Sequence, residues 1–278
     1  MLLLFAVAAA FLAPLAEIYN GKPSQGLSSI IFFPTKYPDG NWSPQGLTYV
    51  DTYFKSEDET VLHGWYCPCE APTAHVLILH GNAGNVSTRW ALLRLLQQAN
   101  ITAFIFDYRG YGRSSGTPSI DGVLQDAKAA REKFSEIANV PQAEMFLLGE
   151  SLGGAFATTL TVDIQPRALI LQSTFSSLRE LADLHYSVFS SLVSPDLLNS
   201  REALSDYEGP LLLAHGKNDP IVPHSQAVAM FAAASEPKQF VSLNDAGHNI
   251  SANGIYQAAL LRFIEGHSKR EAGVAGAE

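Results

Sequence analysis

Thiols are almost missing from this chain. Its two cysteines, Cys67 and Cys69, stand together in "YCPCE", where a bridge between residues two apart would be strained. No further Cys or His adjoins them at ligand spacing, so neither a disulfide framework nor a cysteine metal centre is expected, and the thiol count fits either side of a membrane. Positive charge is also scarce. Eighteen Lys and Arg face 27 Asp and Glu, for a net charge of -9, and no basic cluster builds the footprint that a phosphate backbone needs; no nucleic-acid partner is expected. Charged residues of all kinds make up only 16% against 47% hydrophobic, which excludes a largely disordered chain. Repeats, low-complexity blocks and internal linkers are absent.

The 278 residues are enough for one large α/β domain or two small ones. At the start, Leu2 to Ala16 ("LLLFAVAAAFLAPLA") is an uncharged apolar run, shorter than the roughly 20 residues that span a bilayer. It has no Lys/Arg-rich beginning, and Pro14 stands where cleavage after Ala16 would want a small residue. We expect membrane association or export through this segment, with a helix packed on the domain and a cytoplasmic location as the alternative. The expected organisation is an apolar segment and connector over residues 1–26, a single domain over 27–268 with a lid insertion at about 173–210, and a frayed tail over 269–278 ("KREAGVAGAE").

Within the domain the pattern changes once. "TYVDTYF", the turn "SEDE" and "TVLHGWYC" alternate polar and apolar residues, as in a β-hairpin at a sheet edge. After it come unbroken apolar runs: "HVLILH", "ITAFIFD", "MFLLG", "ALILQ", "LLLAH" and "QFVSL". Runs of that length suit strands covered on both faces, hence a parallel sheet. Helices are expected between them at Thr88 to Gln98, Ile120 to Ile137, Leu152 to Val162, His224 to Ala234 and Ile255 to Glu265. The alternation predicts an α/β fold, doubly wound, with a mostly parallel sheet of about eight strands and helices on both faces. One interval breaks the rhythm. Residues 173–210 are far too many for a routine connection and carry helical stretches such as "LRELADLHYSVFSSLV", as expected of a short helical lid.

Gly149-Glu150-Ser151-Leu152-Gly153 falls between a predicted strand and a predicted helix. This G-x-S-x-G arrangement places a serine on a sharp turn, where flanking side chains would collide and glycines remove the collision. The helix start directs unpaired amides at whatever the serine attacks. A hydroxyl needs a base, and the base needs a carboxylate to fix its tautomer. "LLLAHGKNDPIVP" supplies Asp219 after the next-to-last strand, and "QFVSLNDAGHN" supplies His248 after the last. The expected catalytic set is Ser151, Asp219 and His248, and the chain order Ser, Asp, His is the one expected of this arrangement. Asp245 lies too close to His248 on one short loop, Asp183 and His185 sit in the excursion, and His63, His75, His224 and His267 have no strand-end acid in step. His80 and His215, each before a glycine, read as braces of tight turns. Oxyanion donors are expected from the backbone N–H of Leu152 and, in the small-residue loop "HGNAGN", of Asn82. Nothing here calls for a metal or an organic cofactor.

On "IIFFPT", "HGNAGN", "FDYRGYGRSSGTPS", "GESLGG", "HGKNDPIVP" and "DAGHN", in that order, the chain resembles the α/β-hydrolase superfamily, and more narrowly the Bem-type, abhydrolase-domain serine hydrolases, serine aminopeptidase-like or lysophospholipase-like. The resemblance runs from about Ile30 to Glu265. It implies the α/β-hydrolase fold, an N-terminal membrane anchor, and structural, site-bracing roles for Asp107 and Arg109; Glu150 fills a variable position with no acid-base role. The expected activity is hydrolysis of a carboxylic ester or thioester through an acyl-enzyme, on a small-molecule or lipid-like acyl substrate. Aminopeptidase or lysophospholipase action on the same triad is the alternative, and a catalytically silent hydrolase-shaped scaffold is the non-enzyme reading.

Overall fold

Five of the apolar runs are too short for helices of their own and too apolar for a surface, and they form the centre of one sheet. The computed structural model describes Ser28, residues 30–185 and residues 190–268; the apolar run at 2–16 and the tail at 269–278 lie outside the described residues. The strands, in chain order, are β1 (Phe33–Pro34), β2 (Val50–Lys55), β3 (Val61–Cys67), β4 (Ala74–Leu79), β5 (Ala83–Gly84), β6 (Ile101–Asp107), β7 (Phe146–Glu150), β8 (Ala168–Gln172), β9 (Leu211–Gly216) and β10 (Lys238–Leu243). Eight of them form a sheet in the order β10-β9-β8-β7-β4-β6-β3-β2. From β6 to β10 every pairing is parallel, while β2 and β3 form the antiparallel hairpin at one edge. The expected hairpin and parallel sheet are both present.

Helices cover both faces. They are α1 (Trp90–Gln98), α2 (Ile120–Ala138), α3 (Leu152–Thr159), α4 (Leu178–His185), α5 (Ser200–Ser205), α6 (His224–Ala233) and α7 (Gly254–Ser268). Successive strand residues point to opposite faces. Leu77 and Leu79 join Val123, Ala127 and Phe134 of α2 and Phe156 of α3 in one core. Val76 and Ile78 join Leu93 and Leu96 of α1 and Leu260 and Phe263 of α7 in the other. The α2 contacts recur every three or four residues, and its ends are written locally: Ser119 accepts from the Gly122 amide, and Asn139 closes the helix in the left-handed conformation.

Three helices depart from the sequence expectation, α7 by running on to Ser268 where an end at Glu265 was expected. The expected start at Thr88 opens instead as a 3-10 turn, Val86–Arg89, because the Asn85 side chain accepts from the Ser87 amide. The helix after the serine stops at Thr159, before the expected Val162. Hydroxyls of Thr158 and Thr159 bond the carbonyls of Gly154 and Ala155, Thr161 bonds that of Thr158, and Arg131 takes the carbonyls of Leu160 and Ile164. Such bonds compete with the helical ladder. The two-residue pair β1 and β5 is too short for periodicity to reveal.

From β4 the chain crosses to β6 on one side and then to β7 on the other. That reversal opens a crevice above the carboxyl ends of β4 and β7, the place where open α/β sheets bind ligands.

Candidate active site

Ser151 follows β7 at the mouth of that crevice. Its backbone lies at φ 51°, ψ -117°, a sparsely populated region in which a non-glycine residue is held only by its surroundings. The surroundings are specific. The Ser151 amide donates to the Gln172 carbonyl, and its carbonyl accepts from the Gly154 amide and the Thr174 hydroxyl. A Cβ at Gly153 would sit 2.1 Å from the Leu79 carbonyl oxygen, so only glycine lets α3 start this close to β4. The Leu152 amide opens α3 and therefore has no acceptor inside the helix.

Asp219 and His248 reach Ser151 from the loops after β9 and β10. Those loops touch: the Asn218 amide donates to the Ala246 carbonyl and the Lys217 amide to that of Leu243. His248 Nδ1 lies 2.7 Å from Asp219 Oδ2 and its Nε2 lies 3.0 Å from Ser151 Oγ. An ionised carboxylate only accepts, so Nδ1 carries the proton and Nε2 is left bare to accept from the hydroxyl. The His248 carbonyl is fastened by the Ser173 hydroxyl at 2.6 Å. Asp219 is saturated with donors: amides of Ile221 and Val222 on Oδ1, and His215 Nε2 beside His248 on Oδ2. Burial alone would raise this carboxyl, but the bonds from His215, His248 and the two amides outweigh it and hold Asp219 well below the usual carboxylate range.

A pocket of about 440 Å³ opens onto the serine, within the size range of small-molecule sites. Ser151, Leu152, His248, Gly81 and Asn82 form its floor; Phe175, Leu178, Leu181, Ala182 and Val193 of the 173–210 excursion form one wall, and Ile30, Ile31 and Phe33 another. Asn82 is held through its side chain to the Ile31 carbonyl and through its own carbonyl to the Phe33 amide and the Tyr111 hydroxyl. Among the described residues no group of three His, Cys, Asp or Glu is arranged to hold a metal.

The Serine aminopeptidase, S33 family model matches residues 70–199. The YfhR protein of Salmonella typhi is 34% identical over 251 residues, 82% of this chain and 86% of its own. The α/β hydrolase domain-containing protein WAV2 of Arabidopsis thaliana is 31% identical over 246 residues, 79% of each. The chain belongs to the α/β-hydrolase superfamily. Among solved structures, the Pyrococcus furiosus esterase Pf2001 superposes with a TM-score of 0.69 at 20% identity, over 85% of this chain and all of that one, a likeness of fold.

In this α/β hydrolase the three distant loops named from sequence meet around one hydroxyl. The other histidines are engaged elsewhere: His63 with Asp51, His75 against the Phe134 ring, His224 with Ser242 and His267 with the Phe263 carbonyl. His80 braces its turn through the Gly81 carbonyl. Arg109 grips Asp126 and Asp58, and Asp107 takes the Val86 amide, so both brace the frame. Two features escaped the sequence reading. His215 braces its turn through the Val222 carbonyl but also reaches the carboxylate of Asp219; its place four residues before that acid was the available signal. Arg89 and Glu150 line the pocket as an ion pair, and nothing in a lone arginine after "HGNAGN" announces a partner 61 residues on.

Proposed function

We propose that this α/β hydrolase cleaves carboxylic esters or thioesters through a covalent acyl-enzyme on Ser151. The observation that supports it most directly is the unbroken chain from Ser151 Oγ through His248 to Asp219, at 3.0 and 2.7 Å, on a serine that opens into an apolar pocket. In this reading His248 Nε2 takes the serine proton as Oγ bonds the carbonyl carbon. Backbone N–H groups of Asn82 and Leu152 hold the oxyanion, and Asp219 keeps the imidazole in its tautomer and stabilises its positive form. The tetrahedral adduct collapses, His248 hands the proton to the departing alcohol or thiol, and water repeats the sequence to release the acid. No metal or organic cofactor enters any step.

The apolar walls favour an acyl chain. Each methylene buried in them contributes about 0.8 kcal/mol, so kcat/KM should rise about fourfold per added carbon until the pocket is full. Aminopeptidase action is disfavoured by the pocket's charges. Among its described lining residues the one acid is Glu150, and Arg89 binds both of its oxygens, which leaves no free carboxylate for a substrate ammonium.

The test is a fluorophosphonate probe followed by a series of p-nitrophenyl esters of increasing length with an acyl-thioester control. Labelling of the wild type and not of Ser151→Ala, with hydrolysis that climbs with chain length, is the expected result. Absence of labelling in both would favour a silent scaffold, and cleavage of aminoacyl amides with esters ignored would favour a peptidase. Membrane association through residues 2–16 is part of the same proposal; deleting them should move the protein from the membrane to the soluble fraction. Among the described residues no helix is long and apolar enough to cross a membrane.

A further inference from the structure

We propose that Arg89 and Glu150 are a positioning pair that sets the spacing between the two oxyanion donors, an inference that rests on the roles proposed above for Asn82 and Leu152. The two donors come from different parts of the chain. Asn82 belongs to the loop after β4, whereas Leu152 follows the serine after β7. Their separation decides whether both can bind one oxygen, since each N–H has to approach to roughly 2.7–3.1 Å of where the negative charge develops.

The guanidinium of Arg89 spans that gap. Its Nε donates to Glu150 Oε2 at 3.1 Å and its Nη2 to Oε1 at 3.3 Å, a two-pronged contact that fixes direction as well as distance. Its Nη1 donates to the Ala83 carbonyl at 2.7 Å and to the Thr88 hydroxyl at 2.6 Å. The Ala83 carbonyl lies one residue after Asn82, and Glu150 lies two before Leu152. A short bridge of side-chain bonds thus joins one donor's backbone to the other's, beside the main-chain pairing of β4 with β7. The pair is shielded: the Arg89 and Glu150 side chains keep only 14% and 16% of their exposure, so water and salt screen it less than a surface pair. On its far side the same loop is held by Ile31, Phe33 and Tyr111. Of these contacts only the arginine ties the loop to the residue that precedes the nucleophile.

Arg89 lines the pocket, and a substrate-binding role would be the obvious rival. Its bonding argues otherwise. All three of its nitrogens are already engaged by the protein, and the carboxylate beside it cancels its charge. Removing it should therefore alter the stabilisation of the transition state and leave the binding of a small neutral ester nearly unchanged.

The experiment measures kcat and KM for a short neutral p-nitrophenyl ester, with the affinity of phenylboronic acid, in the full chain and in Arg89→Ala, Arg89→Lys, Glu150→Ala, Glu150→Gln and the double alanine variant. The boronic acid bonds Ser151 Oγ to boron as a tetrahedral adduct whose oxygen occupies the oxyanion position. Each single alanine variant should lose about 10- to 100-fold in kcat with KM within about threefold, a fraction of what deletion of a donor costs. Boronate affinity should fall by the same factor. The double variant should be no worse than Arg89→Ala, Lys should recover little because it cannot make the fork, and Gln should recover most. A kcat for Arg89→Ala within threefold of wild type overturns the pair, as does a fall in kcat without a fall in boronate affinity, or a raised KM with kcat intact. Should Arg89→Ala fail to fold by circular dichroism, Arg89→Lys and Glu150→Gln decide: if Lys equals wild type in both readouts, the proposal is wrong. A wild type that hydrolyses no ester overturns the hydrolase reading itself, and the pair with it.

Discussion

Two buried aspartates stand at carboxyl ends of this sheet, each between two imidazoles, and their carboxyl groups are driven in opposite directions. Asp219 has His215 at 3.1 Å and His248 at 2.7 Å. Asp107 has His63 at 3.7 Å and His80 at 3.8 Å. At Asp219 both imidazoles turn an N–H toward the carboxylate, two amides add to them, and the acid is held down. At Asp107 the other bonds of the rings decide differently. His63 Nε2 bonds Asp51 and His80 Nδ1 bonds the Gly81 carbonyl, and the ring nitrogens that face Asp107 stand beyond hydrogen-bond distance of it. Burial pushes Asp107 up, and the His63 contact and the Val86 amide offset only part of that. The residue type is the same, but Asp107 is the more deeply buried, and the closer approach of the imidazoles to Asp219 separates it, a carboxylate that accepts from His248, from a frame residue.

The comparison breaks if the two aspartates respond alike to one substitution. Asp219→Asn should lower kcat/KM for esters by about 10³- to 10⁴-fold at neutral pH, since the amide favours the wrong tautomer of the histidine; Asp107→Asn should stay within about threefold. Gly216→Ala probes the contact between the acid loop and the histidine loop. Its Cβ would lie 2.3 Å from the carbonyl oxygens of Ala246 and Gly247, so the loops have to part. We expect about 100-fold less activity and about 1–3 kcal/mol less stability in urea unfolding, with the pocket wall unaffected.

His215→Phe sharpens the comparison by making Asp219 more like Asp107. The ring is fully buried, so phenylalanine keeps its packing and removes one donor. About tenfold lower kcat/KM is expected. The groups that face Asp219 are His215, His248 and the amides of Ile221 and Val222, with His224 behind His215 at 6.0 Å between ring centroids. With its folded value depressed, Asp219 contributes stability that is present above the unfolded carboxylate pKa of about 3.9 and lost as pH falls through the folded value. The substitution should narrow that window, so acid unfolding of the variant should begin at higher pH.

The frame of this molecule was legible because its signals are local. Unbroken apolar runs announced the parallel strands, and "GESLGG" between a strand and a helix announced the bend. Asp219 and His248 were legible because strand ends and chain order confine the choice to a few positions. The Arg89 and Glu150 pair was not, since a contact across 61 residues leaves no periodic trace, and Glu150 reads as a variable position when seen alone. His215 was half legible: its turn-bracing role followed from the glycine after it, but its bond to Asp219 depends on a tautomer that only the Val222 carbonyl fixes. The threonine-rich end of α3 misled by pattern, because hydroxyls that fit a helix also compete for its carbonyls.

Asp107→Asn carries the smallest expected effect and the most specific one. The Val86 amide can still donate to the side-chain oxygen, and the new NH₂ can turn toward the ring nitrogens of His63 or His80 that have no hydrogen-bond partner. His80 stays neutral through the whole range of the measurement, pushed down to about 3 by burial and then by the charge of Arg89. Because the folded value of Asp107 is raised, the native state binds a proton more tightly than the unfolded chain. Stability then falls as pH rises from the unfolded carboxylate value near 3.9 through the raised one. The amide does not titrate, so the variant should lose that decline and equal or slightly exceed the wild type in thermal midpoint at pH 8. A midpoint several degrees lower at pH 8, with the wild-type pH dependence retained, would mean that Asp107 is held as a carboxylate by its histidines, and the contrast with Asp219 would collapse.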